Sequence, residues 1–441
     1  MYRFVVTLLL LALPASASAQ TVSLSQEQAV ERAVARHPLI RASDFGARAA
    51  EARVKQARTG WLPRIQIQGG YQLVGPQQRL NITQNVDILP APITISRDIG
   101  SLHNAAVGVT VAWRAYDFGA RDVLASQAKA AAAAARAEGR ERAAQVAYAV
   151  RASYLAALFF QEMQAVTQRS LQVAQKEQRE ERVKKQAGVG NDLDLARIDS
   201  RVAELSARVT RARQERQRAL TTLRILLGLK PGTRLRLTDS LQRLATAPAS
   251  PAPDAKRHPT RVRLDALRQA ARLELKRQWR SYWPTLDVVG SFKYQYPKNY
   301  FETDKGGIAY TAGVMLTWNV FDGDLLRRQR AESRAKIRQV KSLQKANDED
   351  IQRKLADAAA QVHIADASAV AARKMRRAAR VYVKAARVSK RAGTGTALEV
   401  RKAEEALDNA QLAEVKAWFD GALARANRLQ AEGIAALRND R

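Results

Sequence analysis

The sequence predicts a mainly α-helical fold with a transmembrane β-barrel portion and an internal two-fold repeat. Three observations support this prediction: an export leader, motifs that recur at constant spacing, and alternating strand pairs that precede very long helical runs. Ala, Arg, Gln, Glu, Lys and Leu are abundant and aromatic residues make up only 6% of the chain, a composition typical of long exposed helices.

The first 19 residues have the anatomy of a secretory signal peptide. Arg3 supplies the positive region, residues 4–13 are apolar, and Ala17-Ser18-Ala19 is a small-residue cleavage site. We therefore expect an exported mature chain that begins at Gln20; the alternative is an ordinary buried hydrophobic N-terminus. No later segment is expected to reach the ~20 apolar residues of a spanning helix, so no helical membrane anchor is predicted.

The net charge is +32, or +31 once Arg3 leaves with the leader. Such a charge favours nucleic acid or an anionic membrane surface as a partner. Because an exported protein meets little nucleic acid, we expect no nucleic-acid partner and interpret the charge as a basic surface or passage. The chain has no cysteine, which excludes disulfides, thiolate metal sites and a lipid on an N-terminal Cys.

Motifs recur along the chain at two constant offsets. His37-Pro38 returns as His258-Pro259 after 221 residues, whereas Trp113, Asp117 and Gly188 return as Trp318, Asp322 and Gly393 after 205. Constant offsets on either side of one change indicate two copies that differ by 16 residues, located between Pro63 and Trp113. The segment Gly75–Gly100 there is rich in Pro, Asn and Gly, so it predicts a longer loop in the first copy.

Each copy contains a predicted β-hairpin, at residues 64–113 and 285–318. Apolar and polar residues alternate along four strands of about ten residues with aromatic residues near their ends, which is typical of transmembrane barrel strands. A half-buried sheet in a soluble protein has the same alternation. The export leader and the absence of another apolar helix to cover the sheet favour the membrane. The apolar positions are Ile65, Ile67, Tyr71, Leu73, Val107, Val109, Val111, Trp113, Leu286, Val288, Phe292, Tyr294, Tyr296, Ile308, Tyr310, Val314, Leu316 and Trp318.

Long helices follow each hairpin, and at 1.5 Å per residue each would extend roughly 100 Å. Asp117 and Asp322 precede them as acidic caps. The domain organisation predicted from these patterns comprises the leader (1–19), a first repeat (20–228, with helices 121–186 and 191–227), an inter-repeat segment (229–257), and a second repeat (258–441, with helices 325–392 and 396–437). The inter-repeat segment is expected to contain a short strand at 235–238 and a Pro/Ala linker at 247–253. Ser25 and Gln28 predict a capping box at the start of the first helix.

A sheet that crosses a membrane cannot leave an edge strand unpaired in lipid. Four strands are too few to enclose a pore, so several chains must pool their strands into one barrel. The patterns therefore predict an oligomer without specifying the number of chains.

The ordered motifs resemble the TolC family of outer-membrane efflux proteins over essentially the whole mature chain. The resemblance rests on the two His-Pro starts, on residues 60–63, 113–119 and 318–323, and on the glycine turns with Asp194-Leu195 and Glu399-Val400. It implies a homotrimer with a twelve-stranded barrel in outer-membrane lipid and a long α-helical barrel in the periplasm. It also implies an exit duct of a tripartite efflux pump or type I secretion system, which passes small molecules or exported protein.

The resemblance further implies that a periplasmic adaptor (membrane fusion) protein contacts the glycine turns and links the duct to an inner-membrane pump. The positions carried over are Gly188, Val189, Gly190, Asn191, Asp192, Gly393, Thr394, Gly395 and Thr396. Family members often narrow the periplasmic opening with acidic residues after these turns, here Asp194 and Glu399. A second acidic position of the family is Lys402 in this chain, so we expect a mixed-charge constriction.

No pattern indicates an enzyme, a cofactor or a metal site. Asp117-Phe118-Gly119 lacks the other kinase motifs, and Gly188-x-Gly190 and Gly393-x-Gly395 lack the third glycine of a dinucleotide site. Asp322-Gly323-Asp324 is too short for a calcium loop, and the four histidines lack ligand spacing. The remaining alternative is a periplasmic coiled-coil or polyanion-binding protein, suggested by helix content and charge.

Overall fold

The computed structural model describes residues 21–84, 92–248, 257–299, 302 and 305–435. The predicted signal peptide, most of the predicted linker at 247–253 and the predicted end of the last helix at 437 lie outside the described residues. Two compact units are present. The sheet unit comprises Phe45–Ala137 and Val262–Ala346, and the helix unit comprises the other described residues.

The sheet unit contains a four-stranded antiparallel sheet in the order β2-β5-β7-β8. The strands are β2 (Arg64–Leu73), β5 (His103–Tyr116), β7 (Thr285–Tyr296) and β8 (Gly307–Thr317). Each exceeds or matches the roughly 9–11 residues that a tilted strand needs to cross a bilayer. The two edge strands, β2 and β8, each have only one neighbour within the described chain.

The two faces of this sheet differ in polarity, because the register aligns like residues. Ile65 lies opposite Val111, and Phe292 lies opposite Tyr310. We call this side the apolar face; its side chains are exposed in the single chain. The other side, the polar face, carries Gln66, Gln68, Gln72, Asn104, Thr110, Ser291, Lys293, Gln295 and Thr311.

The segment predicted as a loop at Gly75–Gly100 contains two strands, so that prediction is wrong in part. β3 (Gln78–Gln84) and β4 (Ile93–Ile99) pair antiparallel as a separate two-stranded sheet. Proline and glycine at the ends of the segment signalled the loop, whereas the alternating residues between them form the strands. The longer segment of the first copy therefore contains regular strands in its described part.

The repeat is visible in hydrogen bonds at the base of the sheet. The Trp113 indole Nε1–H donates to the Trp61 carbonyl at 3.0 Å, and the Trp318 indole donates to the Tyr282 carbonyl at 3.1 Å. Asp117 caps the following helix by accepting from the Arg121 backbone N–H (3.0 Å) and guanidinium (2.9 Å). These bonds show that the Asp117-Phe118-Gly119 motif joins strand to helix.

Two pairs of helices have matching lengths in the two copies. The long helices α3 and α7 contain 67 residues each, and the returning helices α4 and α8 contain 35 each. The bounds are α1 (Gln26–Arg36), α2 (Pro38–Arg58), α3 (Ala120–Gln186), α4 (Asp192–Leu226), α5 (Leu241–Ala245), α6 (Pro259–Arg280), α7 (Leu325–Arg391) and α8 (Ala397–Ala431).

The main core of the helix unit surrounds Tyr154, which is fully buried. Its hydroxyl donates to the Leu24 carbonyl (3.0 Å) and lies 3.1 Å from the Asp239 carboxylate, which also accepts from the Gln26 backbone N–H. Leu24 ends β1 (Thr21–Leu24), a strand that pairs in parallel with β6 (Arg234–Leu237). The sequence predicted β6 within 235–238 but neither β1 nor the pairing.

By length and composition, α3 is apolar enough over an 18-residue window to cross a membrane, contrary to the expectation from the sequence. Half of that window is buried against the rest of the protein. A core helix of a folded unit has the same property, and Tyr154 and Leu155 of α3 are fully buried core residues.

Candidate functional site

The candidate site lies at the two turns that join α3 to α4 and α7 to α8. Gly188 and Gly393 both have φ of +77°, a left-handed conformation that favours glycine. Each glycine belongs to a Schellman motif that ends the long helix. The Gly188 N–H donates to the Lys185 carbonyl at 3.1 Å, and the Gly393 N–H donates to the Lys390 carbonyl at 3.2 Å. The two turns therefore share one backbone geometry.

Different side chains cap the returning helices. Asn191 accepts from the Leu193 backbone N–H at 2.9 Å and caps α4. Thr396 and Glu399 form a reciprocal capping box on α8, in which the Glu399 carboxylate accepts from the Thr396 N–H at 3.0 Å. Glu399 is thus a cap as well as an exposed carboxylate.

The acidic residues at equivalent positions have different partners. Asp194 accepts from Arg401 of α8 at 3.1 Å, with Arg197 at 3.9 Å, so it connects the two returning helices. Asp192 pairs with Lys185 across its own turn. Lys402 is exposed on α8. The structure brings Asp194 close to α8, but through Arg401 rather than through Glu399 or Lys402.

Exposed apolar side chains surround both turns. Val189, at the first turn, is 77% exposed, and Leu398, beside the second, is 46% exposed. Val183, Leu193 and Val388 are also exposed. Exposed apolar residues grouped in this way mark surfaces that bind other proteins. Gly190 and Gly395 add close backbone packing, because a Cβ at either position would meet the preceding helix within about 3 Å.

A cluster of charged residues lies among the four helices behind the turns. We call it the carboxylate cluster: Ser170 and Glu177 of α3, Arg201 of α4, Arg387 and Lys390 of α7, and Glu404 and Asp408 of α8. Glu404 is only 7% exposed and accepts from Arg387 at 2.7 Å. Asp408 accepts from Ser170 at 2.6 Å and from Arg201 at 3.3 Å.

Two acids of this cluster bind protons more tightly than usual. Burial, together with a hydrogen bond to Glu404 and its charge, raises the pKa of Glu177 to about 7. Burial also raises the pKa of Asp408, although Ser170 and Arg201 oppose the rise. Because two neighbouring carboxylates resist ionising together, the cluster can take up a proton near neutral pH.

The sequence prediction missed this cluster and the partner of Asp194. The available signal was a charged residue on the buried stripe of α8, where Glu404 follows the buried residues Val400 and Ala403 at helical spacing. Nothing in the sequence identifies Arg201 or Arg387 as its partners, since they come from other helices. No group of His, Cys, Asp or Glu that could hold a metal occurs among the described residues.

Comparison with protein-family models matches residues 29–229 and 259–431 to "Outer membrane efflux protein". The chain belongs to the outer membrane efflux protein family. Its two matched segments correspond to the two repeats, and the second begins at the second His-Pro motif. The efflux family places the chain in the outer membrane as a subunit of an exit duct for efflux or secretion. Membership also indicates an oligomeric assembly that works with a pump.

Solved structures of other outer-membrane proteins share the fold of this efflux-family chain. The outer-membrane channel OprN is 17% identical with a TM-score of 0.76, covering 92% of this chain and 89% of its own. VceC from Vibrio cholerae is 16% identical with a TM-score of 0.72, and the match covers 92% of this chain and 96% of VceC. The open-state MtrE channel of Neisseria gonorrhoeae is 15% identical with a TM-score of 0.72, and the match covers 94% of this chain and 90% of MtrE. No curated protein sequence matches this chain.

We expect acid pH to stabilise the efflux-family chain through Glu177. Its folded pKa of about 7 lies above the ordinary value of 4.5, so the folded chain holds the extra proton between these pH values. Stability should therefore fall as pH rises through that window. Glu177 should therefore raise the thermal unfolding midpoint of the detergent-solubilised full chain at about pH 5.5 relative to about pH 8, against the opposite effect of His258, whose pKa is lowered by partial burial. Each kcal/mol corresponds to roughly 1–2 °C in a chain of this length.

The matched variants are Glu177→Gln and Glu180→Gln, the second at an exposed position on the same helix. Glu177→Gln should reduce the pH dependence and Glu180→Gln should preserve it. An unchanged pH dependence in Glu177→Gln would show that another group carries the proton.

Proposed function

We propose that three copies of this chain form one duct, with a barrel of pooled strands in outer-membrane lipid and a helical passage that extends into the periplasm. The observation that carries the proposal is the sheet with two open edges. Among the described residues, the outer edges of β2 and β8 have no paired strand over 10 and 11 residues, and lipid offers no partner for their backbone groups. Pairing β2 of one copy with β8 of the next satisfies both edges.

The apolar face of the sheet supports the same arrangement. Phe292, Tyr294 and Tyr310 are more than half exposed in the single chain, on the face opposite the Gln and Ser residues. In a barrel, this face would contact outer-membrane lipid and the polar face would line the interior. The polar face supplies hydroxyl and amide groups together with Lys293, which suit a water-filled passage.

A periplasmic adaptor is the proposed partner of the two turns, and through it an inner-membrane pump. The exposed Val189, the glycine backbone at Gly188, Gly190, Gly393 and Gly395, and the caps Asn191 and Thr396 support this interpretation. Asp192 and Thr394 complete the proposed contact. A pump would select the cargo, so the duct would pass small molecules or exported protein without catalysis of its own.

The proposed constriction beside the turns has mixed charge. Asp194, Glu399 and Lys402 all lie in the first two turns of the returning helices. The ion pair between Asp194 and Arg401 connects α4 to α8 there. A change in the width of the opening would therefore either break this ion pair or move α4 and α8 together. Glu399 and Lys402 remain as exposed charges of opposite sign.

Purified full-length protein should be a trimer that conducts ions. Native mass spectrometry of the detergent-solubilised protein should give three chains. Two open edges per chain require closure into a ring, and the number three is the one that the family resemblance implies. Planar bilayers that contain this protein should show single-channel steps. A monomer that leaves the membrane fraction with salt alone, and does not conduct, would contradict the proposal.

The charge of Glu399 should affect conductance through the constriction. Glu399→Gln keeps a side chain able to close the capping box but removes the charge, whereas Glu399→Ala removes both. Both variants should change single-channel conductance and weaken block by multivalent cations. Glu405→Gln, at an exposed position on the same helix, is the control. If both Glu399 variants conduct and are blocked like the parent, Glu399 does not line the constriction.

Crosslinking should test the adaptor contact, since the chain has no cysteine. Val189→Cys, labelled with a short bifunctional reagent in intact cells, should capture a periplasmic protein whose captured peptide lies in an α-helical hairpin, identified by mass spectrometry. Ile364→Cys, which is exposed on α7 away from the turns, should not capture it. Equal capture at both positions, or none at Val189→Cys, would argue against docking at the turn.

A further inference from the structure

The longer hairpin of the first copy contains a two-stranded ribbon whose sides differ in chemistry. The ribbon consists of β3 (Gln78–Gln84) and β4 (Ile93–Ile99) and follows the edge strand β2. One side is polar and internally bonded. Arg79 pairs with Asp98 at 3.1 Å, and the Thr83 and Thr94 hydroxyls lie 3.1 Å apart. Its polar groups are satisfied by cross-strand neighbours.

The other side of the ribbon carries a group of apolar residues, beside register positions held by Gln78, Gln84 and Arg97, that the described residues leave largely exposed. We call it the apolar side. Ile82 lies directly opposite Ile95, and they are 53% and 57% exposed. Leu80 and Ile93 on the same side are also exposed. A two-stranded ribbon is at best marginally stable alone in water. An apolar side that is left open on such a ribbon therefore indicates a missing packing partner.

A cavity at the base of the ribbon shows which way the apolar side is turned. Its volume is about 770 Å³, and Gln78 and Ile99 line it from the ribbon. Both residues share a side with Ile82 and Ile95, because strand residues alternate and the register pairs Gln78 with Ile99. Most of the sheet residues that line it lie on the polar face, among them Gln72 and Asn104, whereas Ala105 and Tyr296 belong to the apolar face. The apolar side of the ribbon is thus turned toward the polar face of the sheet.

We propose that the apolar sides of ribbons from neighbouring copies pack against one another across the outer mouth of the duct and narrow it. This inference rests on the proposed trimer, in which the polar face lines the passage. Each ribbon continues from β2, the strand that would pair with the next copy. Assembly therefore brings equivalent ribbons to the same rim, with their apolar sides turned toward the common axis.

Lipid is the competing occupant, and the geometry opposes it. The lipid-facing side of β2 carries Tyr71 and Leu73, whereas the cavity involves Gln72 from the opposite side. An apolar surface turned toward the water-filled passage can be buried only by another apolar surface that reaches the same place. A second copy of the ribbon is the partner that the assembly itself supplies.

The absence of native cysteine makes disulfide trapping a direct test. Ile82→Cys and Ile95→Cys, each alone in the full chain, should form dimers under oxidation in outer membranes, seen on non-reducing gels. A single cysteine can link only between copies. Asn81→Cys and Thr83→Cys, on the polar side of the same strand, are the matched controls and should remain monomeric on the gel. In planar bilayers, reduction of the trapped channel should increase its conductance.

Several results would overturn the inference. Trimers that conduct but whose Ile82→Cys and Ile95→Cys variants do not form disulfides would show that the ribbons stay apart, while the proposed duct stands. Preferential labelling of Ile82→Cys by a lipid-dissolved thiol reagent would assign the surface to lipid. A monomer in native mass spectrometry would contradict both the proposed duct and this inference.

Discussion

The backbone of two edge strands sets the requirement on which the rest of the molecule depends. Water could satisfy the free N–H and C=O groups of β2 and β8, but hydrocarbon cannot, so a lone copy of this sheet is not a stable membrane structure. Association is therefore part of folding. Ile65 and Ile67 alternate with Gln66 and Gln68 along β2. Closure into a barrel explains this alternation, because a closed barrel has a polar interior that the glutamine side chains can line.

The helix unit differs from the sheet because it contains a buried, ion-paired carboxylate, Glu404. Glu404, Arg387 and Arg201 meet within a helical bundle whose apolar residues are mostly alanine and valine. Small residues allow helices to approach closely but exclude little water and give little specificity. A paired charge is strongly unfavourable when its partner is displaced, so it fixes how the helices align. The same pairing leaves Glu177 beside Glu404, where a proton relieves the repulsion.

Local patterns in the sequence predicted most of the elements, because each depends on neighbours along the chain. Ser25 and Gln28 predict a capping box, and the structure contains it. Asp117 and Asp322 likewise mark the starts of the two long helices, because each accepts a hydrogen bond from a backbone N–H of the first turn. The ribbon was missed because Gly75, Pro76 and Gly100, at the ends of the segment, signalled a loop. β1 was missed because a four-residue strand is defined only by its distant partner, β6. The Asp194–Arg401 pair joins residues 207 apart and leaves no local trace.

The two glycine turns are alike in main chain and unlike in side chain. Backbone hydrogen bonds from Gly188 and Val189, and from Gly393 and Thr394, end the two long helices in the same pattern, and Gly395 adds one more bond at the second turn. Asn191 caps one returning helix alone, whereas Thr396 and Glu399 cap the other together. The main chain therefore ends the long helices, whereas the side chains determine the chemistry of the surface at each turn. A substitution can therefore change the surface of one turn while the main-chain bonds that end both helices are kept.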